Sequence, residues 1–111
     1  MSSPFKSKVA VNIATTEGAA TVVSDTVAAS TTHTIVGLSL ANTTTSNITV
    51  NVFLSKGGST NAYMVKGATV LPGGSLVVVG GDQKVVLEPT DSIKAYSSAA
   101  SSCDVITSYL F

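Results

Sequence analysis

Arginine and tryptophan are absent from this sequence, cysteine and histidine occur once each, and aromatic residues make up only 5% of the chain. Each shortage removes a class of function. Six lysines balanced by six carboxylates leave no basic stripe, and no guanidinium forks, to grip a phosphate backbone, so a nucleic-acid partner is not expected. No apolar run approaches the roughly 18 residues of a membrane-spanning helix, so no membrane span is expected either. Met1 to Lys6 lack the apolar core of a secretory signal, because Val9-Ala10-Val11 is already broken at Asn12. The lone Cys103 excludes an internal disulfide framework and fits a reducing compartment, which makes cytoplasmic synthesis the expectation. The shortage of aromatics also ranks a carbohydrate-binding module, stacking sugars on Tyr63 or Tyr96, below a structural role.

What the chain does contain is serine, threonine, asparagine and short runs of branched apolar residues. At 111 residues it is long enough for one core and too short for two. A formal net charge of zero supplies no mutual repulsion, so such a surface suits a chain packed against neighbours.

The organising stretch is Val70 to Leu87, where Pro72-Gly73-Gly74 and Gly80-Gly81-Asp82-Gln83 each precede an apolar run. This pattern predicts a central hairpin between Leu76-Val79 and Lys84-Leu87, covered on both faces or presenting one to an assembly interface. Before it, Val36, Leu38 and Leu40 share one face of a predicted strand, opposite Ile35, Gly37, Ser39 and Ala41. After the polar turn at residues 42 to 47, Ile48, Val50, Val52 and Leu54 alternate with Thr49, Asn51, Phe53 and Ser55. Lys56-Gly57-Gly58-Ser59-Thr60 closes a further hairpin, and strands are expected at Ser92 to Ser97 and from Asp104 to Phe111. Thr21 to Val23 and Thr26 to Ala28 are short strand candidates, with Ala14 to Ala20 a small-residue linker. No twelve-residue stretch has helical spacing of apolar residues. The expectation is all-β: one antiparallel sandwich of seven to nine short strands, immunoglobulin-like or jelly-roll. Its core is assigned to Val36, Leu38, Leu40, Ile48, Val50, Val52, Leu54, Val77, Val79, Val85, Leu87, Ile93 and Val105. Residues 1–13 read as an arm or edge segment ordered along a neighbour, with residues 1–8 lacking structure of their own, and residues 14–111 as the sandwich.

Reactive groups are scarce. His33 has no partner histidine or cysteine, and a metal centre needs three or four ligands, so it reads as an exposed strand-end residue. Cys103 needs a neighbouring base to act as a nucleophile and reads as a small residue beginning a strand. Asp82, Asp91 and Asp104 read as turn formers, and a calcium site with Glu88 would require their loops to converge without the usual calcium-loop motif. Gly80-Gly81-Asp82 lacks the lysine and helix of a phosphate loop. Asn42-Thr43-Thr44 and Asn47-Ile48-Thr49 match the glycosylation sequon by chance in a threonine-rich chain. No enzyme, cofactor or metal is therefore expected. The candidate site residues are instead aromatic. Phe53 falls on the face opposite Ile48, Val50, Val52 and Leu54, and Tyr109 and Phe111 lie in an apolar terminal segment, so all three are candidate interface residues.

Several segments together resemble a known group of proteins. They are Ile35 to Asn42, Ile48-Thr49-Val50, Tyr63 to Lys66, Leu71 to Val78, Gly80 to Leu87 and Asp91-Ser92-Ile93. In their order they resemble small virion structural proteins of tailed bacteriophages, above all those with marine or cyanobacterial hosts, over residues 33–111. Pro89-Thr90-Asp91 departs from the glycine-containing turn common there. The resemblance implies a non-enzymatic β-sandwich in the virion, associating with itself and with the major capsid protein or tail proteins. Capsid decoration is the first expectation, a tail, neck or baseplate accessory role the second, and a host-adhesion module the third.

Overall fold

The structure is a computed structural model, and it describes residues 5–111. Nine strands form two antiparallel sheets: β1 Phe5–Ala10, β2 Thr21–Val22, β3 His33–Asn42, β4 Ile48–Lys56, β5 Thr60–Val70, β6 Ser75–Val79, β7 Val85–Leu87, β8 Ser92–Ser97 and β9 Cys103–Leu110. One sheet has the order β1-β9-β3-β6, with β7 also on β3, and the other β2-β8-β4-β5.

The predicted central hairpin does not form. Both β6 and β7 pair antiparallel with β3, β6 along Leu38 to Ala41 and β7 along His33 to Ile35. The chain thus continues in one direction through residues 80–84, which loop out while β3 advances only through Val36 and Gly37. Gly81, at φ 61°, serves this jog, and the turn closes by Gln83 N donating to Gly80 O at 3.2 Å. A glycine turn makes reversal available, but the neighbouring strand decides whether the chain reverses.

With β6 and β7 counted as one interrupted edge strand, the pairings nest: β1 with β9, β2 with β8, β3 with β6/β7, and β4 with β5. That is a long folded ribbon, and pairing of β3 with β9 and of β4 with β8 rolls it into two sheets. The result is jelly-roll rather than immunoglobulin connectivity.

Bulges decide which side chains enter the core. Val36 is an extra residue of β3 opposite the step from Tyr109 to Ser108, so inward parity passes from Ile35 to Leu38 and Leu40. Ile35 therefore takes the buried place expected of Val36, which is half-buried. A second bulge at Val78 puts Val79 inward opposite Leu38 and Val77 outward opposite Ser39. The remaining expected core positions are buried or packed against the core, Leu54 and Val85 at its margin, and Ile13, Val23, Val27 and Val70 join them.

The N-terminal segment takes the edge position that was one of its two expected places, but residues 5–8, expected to lack structure, are part of that edge strand. Phe5–Ala10 pairs in full register with β9 of its own chain, and Ile13 is buried in the core, its N–H donating to Cys103 O at 3.1 Å. Residues 5–13 are thus part of the sandwich, while the rest of the expected arm lies outside the described residues. The linker at 14–20 holds one 3-10 turn, Glu17–Ala19. Val23 and Ser24 bond across to Ile93, whereas Thr26 to Ala28 form no strand.

Asn42 fastens one end of the sandwich. Its amide Nδ2 donates to Ser46 O at 2.7 Å and Val70 O at 3.0 Å, and its Oδ1 accepts from Thr44 N and Oγ1 at 2.9 and 2.7 Å. Its backbone exchanges bonds with Gly73 and Gly74. The side chain is buried, so this sequon asparagine is committed to the fold.

Candidate functional site

Phe53 occupies the outward face of the four-stranded sheet, as its alternation requires. Val50, Val52 and Leu54 pair with Ser97, Ala95 and Ile93 on the inward side, while Phe53 pairs with Lys94 and Tyr63. It is nevertheless only 1% exposed. Tyr63 and Tyr96 cover it, with ring centroids 5.1 and 6.4 Å away. Their hydroxyls lie 2.9 Å apart, and that of Tyr63 donates to the Glu17 carboxylate. This bond, with help from Tyr96, holds the Tyr63 hydroxyl above its ordinary pKa. Lys66 Nζ sits 4.5 Å over the Tyr63 ring. Asn51 secures the patch from its side by donating to Tyr96 O and accepting from Gly67 N. Phe53 is therefore enclosed by its own chain and offers a neighbour no contact surface.

Tyr109 and Phe111 come together with His33 at one end of the molecule. The His33 and Tyr109 rings stack at 4.8 Å, and Phe111 lies 6.4 Å from each. Tyr109 is buried and donates to the Asp25 carboxylate. Burial first, and this bond second, push its hydroxyl up to about 12. Lys8 pairs with Asp25 at 3.6 Å, and Lys6 Nζ stands 4.5 Å over the Phe111 ring. Of the three candidate interface residues only Phe111 is exposed, at 56%. An open hollow of about 350 Å³ is lined by Lys6, Asp25, Thr26, His33, Tyr109 and Phe111, near the lower limit for small-molecule sites. His33 is buried rather than exposed, and its Nδ1 has no hydrogen-bond partner. Stacking on Tyr109 draws the ring in because β3 places His33 on the inward parity of Ile35.

Asp91, Lys56, Glu88, Asp104 and Cys103 are tied into structure. Asp91 accepts from Lys56 Nζ at 2.8 Å, Glu88 N at 3.0 Å and Gly57 N at 3.0 Å, clipping the β4–β5 turn to the turn before β8. Its carboxyl is held below the usual range by the Lys56 hydrogen bond first and the Glu88 amide next. Lys56 also reaches Glu88 at 2.7 Å. Asp104 accepts from Asn12 N at 3.1 Å. Cys103 is buried, and desolvation, with Asp104 adding, pushes its thiol up to about 11, away from nucleophilic use. Among the described residues no group of three or more histidine, cysteine or carboxylate side chains is placed to hold a metal.

An exposed apolar sheet face is a further feature, of which sequence reasoning saw one part, the possible second face of Leu76 to Val79 and Lys84 to Leu87, but not its extent across β1 and β9. Residues paired across a sheet share a face, so the outer face of the five-stranded sheet can be read row by row. Val9, Ile106, Ser39 and Val77 form one row, and Ser7, Ser108 and Gly37 the next. Leu110, Thr34 and Val86 follow, beside Phe5. Val9, Ile106, Val77 and Val86 are between 54% and 66% exposed. Of the residues paired across this face only Asp104, near one end, is charged. The available signal was polar-to-apolar alternation within Asp104 to Leu110, where Val105, Thr107 and Tyr109 face in and Ile106 faces out.

The chain is thus a jelly-roll sandwich whose titratable side chains serve mainly to hold turns and strands, and whose broad exposed surface is an apolar sheet face. Comparison with protein-family models, with curated proteins and with solved structures returned no match.

Proposed function

We propose that the protein is a non-enzymatic structural component of a tailed-phage virion, made in the host cytoplasm, and that it decorates the capsid by associating with itself and with the major capsid protein. One observation carries this reading. The outer face of the five-stranded sheet presents five large exposed apolar side chains, Phe5, Val9, Val77, Val86 and Ile106, in rows otherwise made mainly of serine, threonine, glycine and alanine. A face of that kind is a surface to be covered by protein. The resemblance of residues 33–111 to virion proteins agrees with it, and jelly-roll sandwiches are used in viral shells as well as in lectins. Fold alone does not select between those uses. Against the sugar-binding use, the Tyr63 and Tyr96 hydroxyls are already engaged and Lys66 lies over the Tyr63 ring.

Quantitative gel densitometry of purified particles against the major capsid protein tests the proposal. Shell decoration requires a ratio of one to one or one to a small integer. A minor but reproducible band moves the protein to the neck, tail or baseplate, and absence from the particle overturns the virion reading.

A further inference from the structure

We propose that the outer face of the five-stranded sheet is covered by the same face of a second copy, related by a twofold axis. This rests on the reading of the chain as a structural subunit and names the partner of its apolar face.

Relief is the first argument. The row containing Val9, Ile106 and Val77 is a ridge, and the adjacent row of Ser7, Ser108 and Gly37 is a groove. A Cβ built at Gly37 finds its nearest neighbours 3.9 and 4.0 Å away, so the groove floor there has room. Like-facing rows along a strand repeat every two residues, about 6.8 Å apart. Two copies that face each other offset by one row seat each ridge in the other's groove. An isologous pair satisfies ridge and groove on both partners with the same patch.

Charge is the second argument. With Asp104 alone near one end, the face gives a charged partner nothing to pair with, while a second copy meets no like charge across its centre.

Area is the third. Four strands abreast at about 4.8 Å, over about seven residues at 3.4 Å, make roughly 450 Å² of sheet per copy. The pair therefore covers roughly 900 Å², well short of the roughly 1,200 to 2,000 Å² of a standard specific interface and within the class of weak, transient association. Such a dimer forms at high local concentration, the condition met by subunits crowded on a repeating lattice.

Sedimentation velocity on the isolated full chain, from roughly 10 μM to 1 mM so as to bracket weak association, tests the inference. The wild type should shift from monomer to dimer across that range. Ile106→Lys changes an exposed ridge residue and should remain monomeric with an unchanged melting temperature, and Val22→Lys, on the other sheet, should dimerise as the wild type does. Ser108→Tyr fills the groove and should weaken association at least tenfold, whereas indiscriminate stickiness would grow with the added ring. A wild type monomeric throughout, an Ile106→Lys variant that dimerises normally, or a Ser108→Tyr variant that associates more tightly overturns the inference. A dimer of this kind with no copies in the particle defeats the virion reading alone. A monomer that is present in particles, and is lost from them on Ile106→Lys, gives the face to another virion protein and defeats this inference alone.

Discussion

Replacing Asn42 should cost the fold more than any other single polar change at the end of the sandwich where it lies. Its side chain makes four hydrogen bonds, two as donor to Ser46 O and Val70 O and two as acceptor from Thr44. A hydrogen bond contributes about 0.5 to 1.5 kcal/mol net, and a buried group left unsatisfied costs about 1 to 3. The Thr44 groups sit toward the surface and can turn to water, whereas the bond to Val70 O is buried. Asn42→Ala should therefore destabilise by about 2 to 4 kcal/mol, a large part of the roughly 5 to 15 kcal/mol that holds an ordinary domain folded. With a urea slope of about 2 kcal/mol per molar, the middle of the usual range, the midpoint should fall by roughly 1 to 2 M with the slope unchanged. Asn42→Asp sharpens the test. It keeps the acceptor for Thr44 but turns the donor into an acceptor facing two carbonyls. At neutral pH it should be at least as damaging as alanine. The new carboxyl titrates higher folded than unfolded, so the loss should shrink as pH falls and the protonated acid regains a donor. Urea midpoints for Asn42→Ala equal to wild type, or an Asn42→Asp variant equally stable at all pH values, would refute the role given to this side chain.

Two further predictions follow from the ionisable groups. Asp91 is held below its usual pKa chiefly by Lys56, so its contribution to stability is present above the unfolded value of about 3.9 and is lost as pH falls through the lower folded value. Asp91→Asn should melt below wild type at pH 7, with the gap closing under acid, and melting curves that stay parallel down to acid pH would contradict the clip. Cys103 should resist alkylation by iodoacetamide in the native protein even at pH 9, because its thiol titrates near 11, and react promptly in denaturant. Prompt native labelling would mean that the β9 end of the core opens.

The class of fold was legible because alternation is a local property. Ile48 to Leu54 alternates cleanly, and β4 forms there with Val50 and Val52 in the core and Phe53 on the other face. Bulges are not written in alternation. The extra residues Val36 and Val78 change which side chains face inward, and each depends on the partner strand's register rather than on its own sequence. The turn at Gly80 to Gln83 failed as a predictor for a related reason, since β3 offers an edge long enough to hold both β6 and β7. At the site, the outward placement of Phe53 was legible and its cover was not. Tyr63 is ten residues away and Tyr96 on another strand, and only the folded sheet brings them together. Of the apolar outer face only the part on β6 and β7 was legible, as continuous apolar runs with a second face to cover; its extent was not, because its rows run across β1, β9, β3, β6 and β7, and no window along the chain contains them.

The most direct test of the central claim is a cryo-electron microscopy reconstruction of the purified phage particle at a resolution that separates strands. The account predicts eight-stranded jelly-roll density fitting this chain at repeated positions on the shell, with the outer face of the five-stranded sheet covered by protein. A particle in which shell, neck, tail and baseplate are all accounted for without this fold would contradict it.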